Sequence, residues 1–388
     1  MAWKRRPPEV VGPPEPLSMT RWLGAALLAL LAGIALFVLA VSGRVPELGN
    51  LNVWMLAAAP LLLWALAFGV RAYVYGGALN HFRFLEDQAA EAEGAWGEWA
   101  QRNLAVQSSC VLLPDKVSAA VIAQEAAAGA PRRSGEARRI DTLPAAGDER
   151  MKGALEQLLR GVIPALAALP GEQVLQVTVL SDVEENHRDA LCAAWQRVWS
   201  KAAPRYSQVA PTLVDELSLQ WVESCLKSPG TAVDLLVVMQ INGKDAYSDG
   251  LAALLLCPDS VAIERELPVH GRLLRPMPLD VDQLDAELPL FLQTQSAARR
   301  ATGILADSEQ WQAVIGAALS VGGAHGANFQ VGQQRIQESL CGLPGPFSSW
   351  LLAALGLELS RHLQQALVVL SEEPSQRWIG TVATGELA

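Results

Sequence analysis

The stretches AVDLLVVMQI (232–241) and LAALLLC (251–257), separated by the polar segment NGKDAYSDG (242–250), decide how this chain is read. Each is too short for a typical globular helix and rich in Val and Leu. The first is almost continuously apolar, as a strand must be when both of its faces are buried in the middle of a sheet. The second reads as its partner strand. Working outward, QVLQVTVL (173–180) has the same character, and between the strands lie helical patterns at Leu155–Leu169, Glu184–Ala202 (with Trp195 and Trp199) and Val214–Lys227 (with Trp221). Strands alternating with helices of this length predict an α/β domain whose mixed sheet is covered by helices.

The pattern extends in both directions. Downstream come helices at Glu309–Ser320, Gln333–Leu340 and Ser348–Gln365, then a hairpin of strands Ala366–Ser371 and Arg377–Ala383. Upstream, Ser109–Leu113 is a short strand ended by Pro114, and Lys116–Ala127 a helix. The polar, Gly- and Pro-containing stretch Gly129–Glu149, with Arg132-Arg133 and Arg138-Arg139, is expected to be an exposed loop.

The N-terminal fifth is of another kind. Trp22–Ser42 and Leu51–Val70 each run for about 20 residues without a charged side chain, the length a helix needs to cross a bilayer. The first is longer than a signal-peptide apolar region and a second span follows at once, so a retained hairpin is expected. Lys4, Arg5, Arg6 and Arg21 precede it, Arg71 and Arg83 follow it, and the connecting loop holds only Arg44 beside Glu47. This distribution predicts cytoplasmic termini. Neither span carries an ionisable group, so the pair reads as a lipid-bilayer anchor and not a conduction path. Ala25, Ala29 and Gly33, with Ala65 and Gly69, offer close helix approach within the hairpin or between copies in a homo-oligomer. The boundaries expected are a Pro-rich, mobile tail over 1–21, the hairpin over 22–70, a juxtamembrane helix over 71–107 with Trp96 and Trp99 on one face, and an α/β domain over 108–388, with a subdivision near 150 left open. Pro60 and Gly76-Gly77 are candidate kink and hinge points.

Five of the 30 basic residues and three of the 40 acidic ones precede residue 71, which leaves the remainder at about −12. Such a domain repels nucleic acid. The cysteines Cys110, Cys192, Cys225, Cys257 and Cys341 are scattered and odd in number. They suit a reducing compartment, and most read as small buried hydrophobes, giving neither a disulfide framework nor a metal site. The histidines His81, His187, His270, His325 and His362 fall in no catalytic or metal-binding motif. VGGAHG (321–326) lacks the lysine and hydroxyl of a phosphate loop and reads as a turn. Asp182, Glu184 and Glu185 follow a strand, where a helix-capping role is favoured over chemistry. No catalytic, cofactor-binding or metal-binding residue is assigned.

Two resemblances go further. GPFSSWLLAALG (345–356) with ALVVLSEEPSQRWIGTVA (366–383) resembles the closing segment of the thiolase-like fold of β-ketoacyl synthases, and AVDLLVVMQI with SDGLAALLLC (248–257) resembles two adjacent core strands of that fold, over about residues 170–388. In that family a Gly-His pair opens the Ala/Gly-rich helix. Here Pro346 follows the glycine, and no strand-to-helix elbow presents a nucleophilic cysteine, Cys192 lying inside a helix. The resemblance therefore implies the fold without the catalysis. The overall layout, with RAYVYGGAL (71–79), WGEWAQRNLAV (96–106) and SSCVLLP (108–114), resembles bacterial inner-membrane accessory proteins that accompany phospholipase effectors and spike proteins of type VI secretion. That implies an inner-membrane adaptor, both termini cytoplasmic, which holds an effector or secretion component through surfaces such as its Trp-rich helices. The alternative is an acyl-transfer or lipid-modifying enzyme at the membrane.

Overall fold

A computed structural model describes residues 3, 12–42, 52–124, 135–228 and 230–385. The interspan loop and Arg132-Arg133 lie outside the described residues. Two compact units result, one being Arg6–Ala95 and the other Met1–Arg5 with Trp96–Ala388.

In the first unit, helix α1 (Met19–Val41) and the 49-residue helix α2 (Val53–Gln101) are each long and apolar enough to cross a membrane. Their large side chains point outward, as expected where lipid is the solvent. They pack on each other through Gly33, where an added Cβ would stand 2.4 Å from the carbonyl oxygen of Ala57. The Trp64 indole donates to the carbonyl of Trp22 (3.1 Å), and Trp22 meets Phe68 edge-on. Of the small-residue stripe, Gly33 is the buried member of α1 and serves the hairpin. Gly33→Leu is expected to cost the hairpin about 1–3 kcal/mol by overpacking and to lengthen the distance between spin labels on α1 and α2. The helix α2 runs as one helix through Pro60 and Gly76-Gly77.

In the second unit the elements follow as β1 (Asn103–Leu112), α3 (Ala119–Gln124), α4 (Asp148–Ala168), β2 (Leu175–Ser181), α5 (Arg188–Ala202), β3 (Thr212–Val214), α6 (Gln220–Lys227), β4 (Val233–Gln240) and β5 (Gly250–Pro258). Then come α7 (Asp259–Glu264), β6 (Gly271–Leu274), β7 (Met277–Pro278), α8 (Leu284–Thr294), α9 (Ser296–Arg300), β8 (Gly303–Ala306), α10 (Gln312–Ala324), β9 (Gln334–Ile336), α11 (Gln337–Cys341), α12 (Ser348–Leu363), β10 (Leu367–Glu373) and β11 (Gln376–Thr384).

The sheet runs β3-β2-β4-β5-β1-β6-β11-β10-β8-β9. Numbering β6, β8, β9, β10 and β11 as the first to fifth strands of a second half gives 3-2-4-5-1 on each side of the β1–β6 seam. In each half the fifth strand alone is antiparallel to the rest. The domain is thus an internal duplication of one βαβ-type unit, and it extends from 103 to 384, starting well before the residue 170 at which the resemblance begins.

Three cores follow from the doubling. The helices α4 and α5 cover the outer face of the first half. On the outer face of the second half lie α8 and α10. Between the inner faces lie α3, α6 and the apolar α12, whose residues from Ser348 to Leu357 are all buried.

Several sequence expectations shift. Val214–Lys227 holds only the last residue of the three-residue strand β3 and then the eight-residue helix α6, and β6, β8 and β9 were not foreseen. VGGAHG supplies the last turn of α10, through Ala324, and then the turn at His325-Gly326. The tail expected to be mobile contributes Trp3, only 7% exposed, to the second outer core. The helices of Trp195, Trp199 and Trp350 offer no aromatic contact surface, because those rings are buried to 1% exposure or less.

Within the stretch expected to be an exposed loop, residues 136–140 instead form a strap. The amide of Asp249 donates to the Arg138 carbonyl (2.8 Å), Arg138 N to the Ser248 hydroxyl (3.0 Å), and Leu343 N to the Glu136 carbonyl (3.0 Å). From Asp148 the chain is already helical.

Candidate functional site

The helices α6 and α12, each lying between the third and fourth strands of its half, meet at the junction of the halves. There the Trp350 indole donates to the Leu217 carbonyl (2.6 Å), and its ring meets Trp221 edge-on at 5.8 Å. Ahead of α6, Ser218 donates through its hydroxyl to Glu373 (2.5 Å), whose carboxylate also accepts from Leu219 N (2.8 Å) and the Trp378 indole (2.8 Å). The mouth of α12 is closed by Gln240. Its amide oxygen accepts from Phe347 N (3.1 Å), its nitrogen donates to the Ser248 carbonyl (2.7 Å), and a Cβ on Gly345 would stand 2.4 Å from its Cδ. Side chains of the chain itself thus occupy the junction.

The thiols do not supply a nucleophile there. Cys225 lies along α6, not at its start, and burial with the nearby Asp234 pushes its pKa up to about 12. Burial likewise raises Cys341 to about 12 and Cys110 and Cys257 to about 11. A thiol held protonated neither attacks nor ligates. Cys192 is the exposed exception, on α5 and away from the junction.

All five histidines are exposed. His270 and Ser108 both line a cleft of about 270 Å³, together with Gln107, Arg361 and the α4 residues Gly161 and Pro164, but no hydrogen bond joins them among the described residues. Among those residues no group of three or more His, Cys, Asp or Glu is arranged to hold a metal ion.

The duplication does place one pair of acids in matching positions. Asp182 follows β2 and Asp307 follows β8. Asp182 accepts from Ile241 N (2.9 Å), Asn242 N (2.7 Å) and the Tyr247 hydroxyl (3.1 Å). Asp307 accepts from Glu372 N (2.8 Å), the Trp311 indole (2.8 Å) and the Ser348 hydroxyl (3.3 Å). Since Ser181 pairs with Met239 and Ala306 with Leu370, the amides of Ile241 and Glu372 occupy equivalent sites two residues beyond those pairs. Each acid therefore clamps the end of its second strand to the fourth. Asp182 does not cap the helix that follows it, contrary to the sequence expectation. Burial raises the pKa of both, Asp307 to about 6, against the lowering effect of these donors. Asp307 escaped the sequence reading, although LADSE (305–309) echoes LSDVE (180–184).

No family model matches the chain, and no curated protein does. Among solved structures it is similar to a complex described as the type II polyketide acyl-carrier protein with its ketosynthase bound to the hexaketide, at 10% identity, covering 74% of this chain and all of that one, with a TM-score of 0.48. It is also similar to 3-oxoacyl-(acyl carrier protein) synthase III from Pseudomonas aeruginosa (15% identity, 74% and 99% covered, TM-score 0.42). OleA from Xanthomonas campestris is a third (11% identity, 73% and 98% covered, TM-score 0.43). The doubled fold stands on its hydrogen-bonded strand order, independently of these likenesses.

Proposed function

We propose that the chain is a non-enzymatic, membrane-anchored adaptor whose duplicated α/β domain holds a protein partner at the cytoplasmic face of a bacterial inner membrane, in the loading of a type VI secretion effector. The observation that carries the non-enzymatic part is the filled junction: Ser218 donates to Glu373, Trp350 to the Leu217 carbonyl and Gln240 to the Ser248 carbonyl, so the chain's own groups take up these side chains where the halves meet. The anchor part is supported by two spans without ionisable groups. Cytoplasmic placement of both termini is supported by the basic flanks, and by Trp3 belonging to the same compact unit as the domain, which requires an even number of crossings between them.

Two measurements on the full chain test this. Incubation with a long-chain acyl-CoA followed by mass spectrometry is expected to leave all five cysteines and Ser108 unacylated. A stoichiometric acyl adduct on any of them would overturn the non-enzymatic reading in favour of acyl transfer. In-cell photocrosslinking from the domain is expected to trap a secretion spike or effector protein, and reproducible absence of any such component defeats the adaptor assignment.

A further inference from the structure

The second outer core ends in a niche whose back wall is the stacked pair Trp96 and Trp99 (centroids 4.6 Å apart) and whose floor includes Phe291. Trp99 is fixed from behind by Arg275, which lies 4.1 Å over its ring and donates to its carbonyl (3.2 Å). Gln295 ties Ala100 and Arg275 together through their carbonyls (3.1 and 2.7 Å). These groups hold the niche by bonds that do not involve its occupant.

The occupant is Trp3. Its ring meets Trp99 edge-on at 5.3 Å, Trp96 edge-on at 6.4 Å and Phe291 at 5.8 Å, and its indole N–H donates to the Pro276 carbonyl (3.3 Å). Trp3 belongs to no strand or helix and arrives from the far side of both spans in sequence. An isolated aromatic anchor in a preformed aromatic pocket, with one directional hydrogen bond, is how a detachable peptide is recognised.

We infer that Trp3 is a latch: it closes this niche in cis, and its withdrawal uncovers a docking surface for an indole-bearing peptide. This goes beyond the adaptor reading and does not depend on it.

The test uses the full chain in zwitterionic lipid nanodiscs and a fluorescent peptide of residues 1–6, MAWKRR, read by anisotropy against empty discs. The peptide is expected to bind Trp3→Ala protein with a dissociation constant in the range of about 10–1000 µM, and unaltered protein at least tenfold more weakly. MAAKRR is expected to bind neither. Equal binding to both proteins, or no binding to a Trp3→Ala protein that melts as the parent does, overturns the latch. So does a Trp3→Ala protein that changes from dimer to monomer, because the niche would then hold the tail of a second copy. Should Trp3→Ala fail to fold, 5-fluorotryptophan placed at position 3 of the otherwise unaltered chain gives the answer: excess peptide is expected to move its ¹⁹F resonance from a buried to a solvent-like shift, and an unmoved resonance overturns the proposal.

Discussion

Replacing Asp249 by Ala is expected to destabilise the domain by about 3–5 kcal/mol, the range measured when one member of a buried ion pair is removed. The Asp249 side chain is wholly buried. It accepts from the guanidinium of Arg150, itself 7% exposed, from Arg139 (3.0 Å) and from the amide of Ile140 (2.8 Å). Alanine leaves the Arg150 charge without a counter-ion in the interior and Ile140 N–H without an acceptor, and both costs fall on the folded state. The half-exposed Arg139 contributes little by itself, since solvent screens it. The strap 136–140 is attached at its centre by this carboxylate, so tryptic cleavage after Arg138 and Arg139 is expected to accelerate in parallel. Urea unfolding of the full chain in detergent measures the first effect and timed proteolysis the second. The double variant Asp249→Leu, Arg150→Met is expected to recover much of the loss, because it removes the stranded charge along with its partner. A double variant as unstable as Asp249→Ala would show that the amide of Ile140, not the ion pair, dominates.

What the sequence disclosed follows from how each segment is stabilised. The strands β4, β5, β10 and β11 sit in the interior of the sheet between two covering layers, so their apolar runs are long and were legible. Short strands were not. TLV in β3, GILA in β8 and QRI in β9 take their conformation from pairing with neighbours, and nothing in three or four residues distinguishes them from the start of a helix. The strap was misread for a related reason: Arg138, Arg139 and Asp249 look like solvated charges until the fold brings residues 110 positions apart into contact.

The duplication left a faint trace. LSDVE (180–184) and LADSE (305–309) end the second strands of the two halves, and VVMQI (237–241) and VVLSE (368–372) their fourth strands. Only the register showed that the two aspartates do the same work. Pro346 after Gly345 was visible at once, whereas the packing of Gln240, Glu373 and Trp350 at the junction of the halves was not. The tryptophans misled in the opposite direction. Trp195, Trp199 and Trp350 look like contact residues by composition, yet the doubled fold has three cores to fill and uses them there.

Glu358 sets an expected pH dependence. It lies on α12, largely buried, where its carboxylate accepts from Val111 N (3.1 Å). Burial pushes its pKa up to about 7, with Arg361 and that hydrogen bond pulling the other way. In the unfolded chain the same group titrates near 4.5, so between about pH 4.5 and 7 the native state holds more of its proton than the unfolded state does. Stability therefore falls as pH rises through that window, and above it the ionised carboxylate costs the fold about 3 kcal/mol. Asp307, raised to about 6, acts in the same direction between about pH 4 and 6. Glu358→Gln keeps an acceptor for Val111 N and removes the charge. The variant is expected to be more stable than the parent by up to about 3 kcal/mol at pH 8, and to differ from it little at pH 4.5, where the parent carboxyl is already protonated. Urea midpoints of the two proteins from pH 4.5 to 8 give the comparison. Parallel curves would mean that Arg361 neutralises Glu358 more fully than its burial suggests; converging curves toward low pH would establish that α12, the helix that fills the centre of the duplicated fold, carries an uncompensated acid at neutral pH.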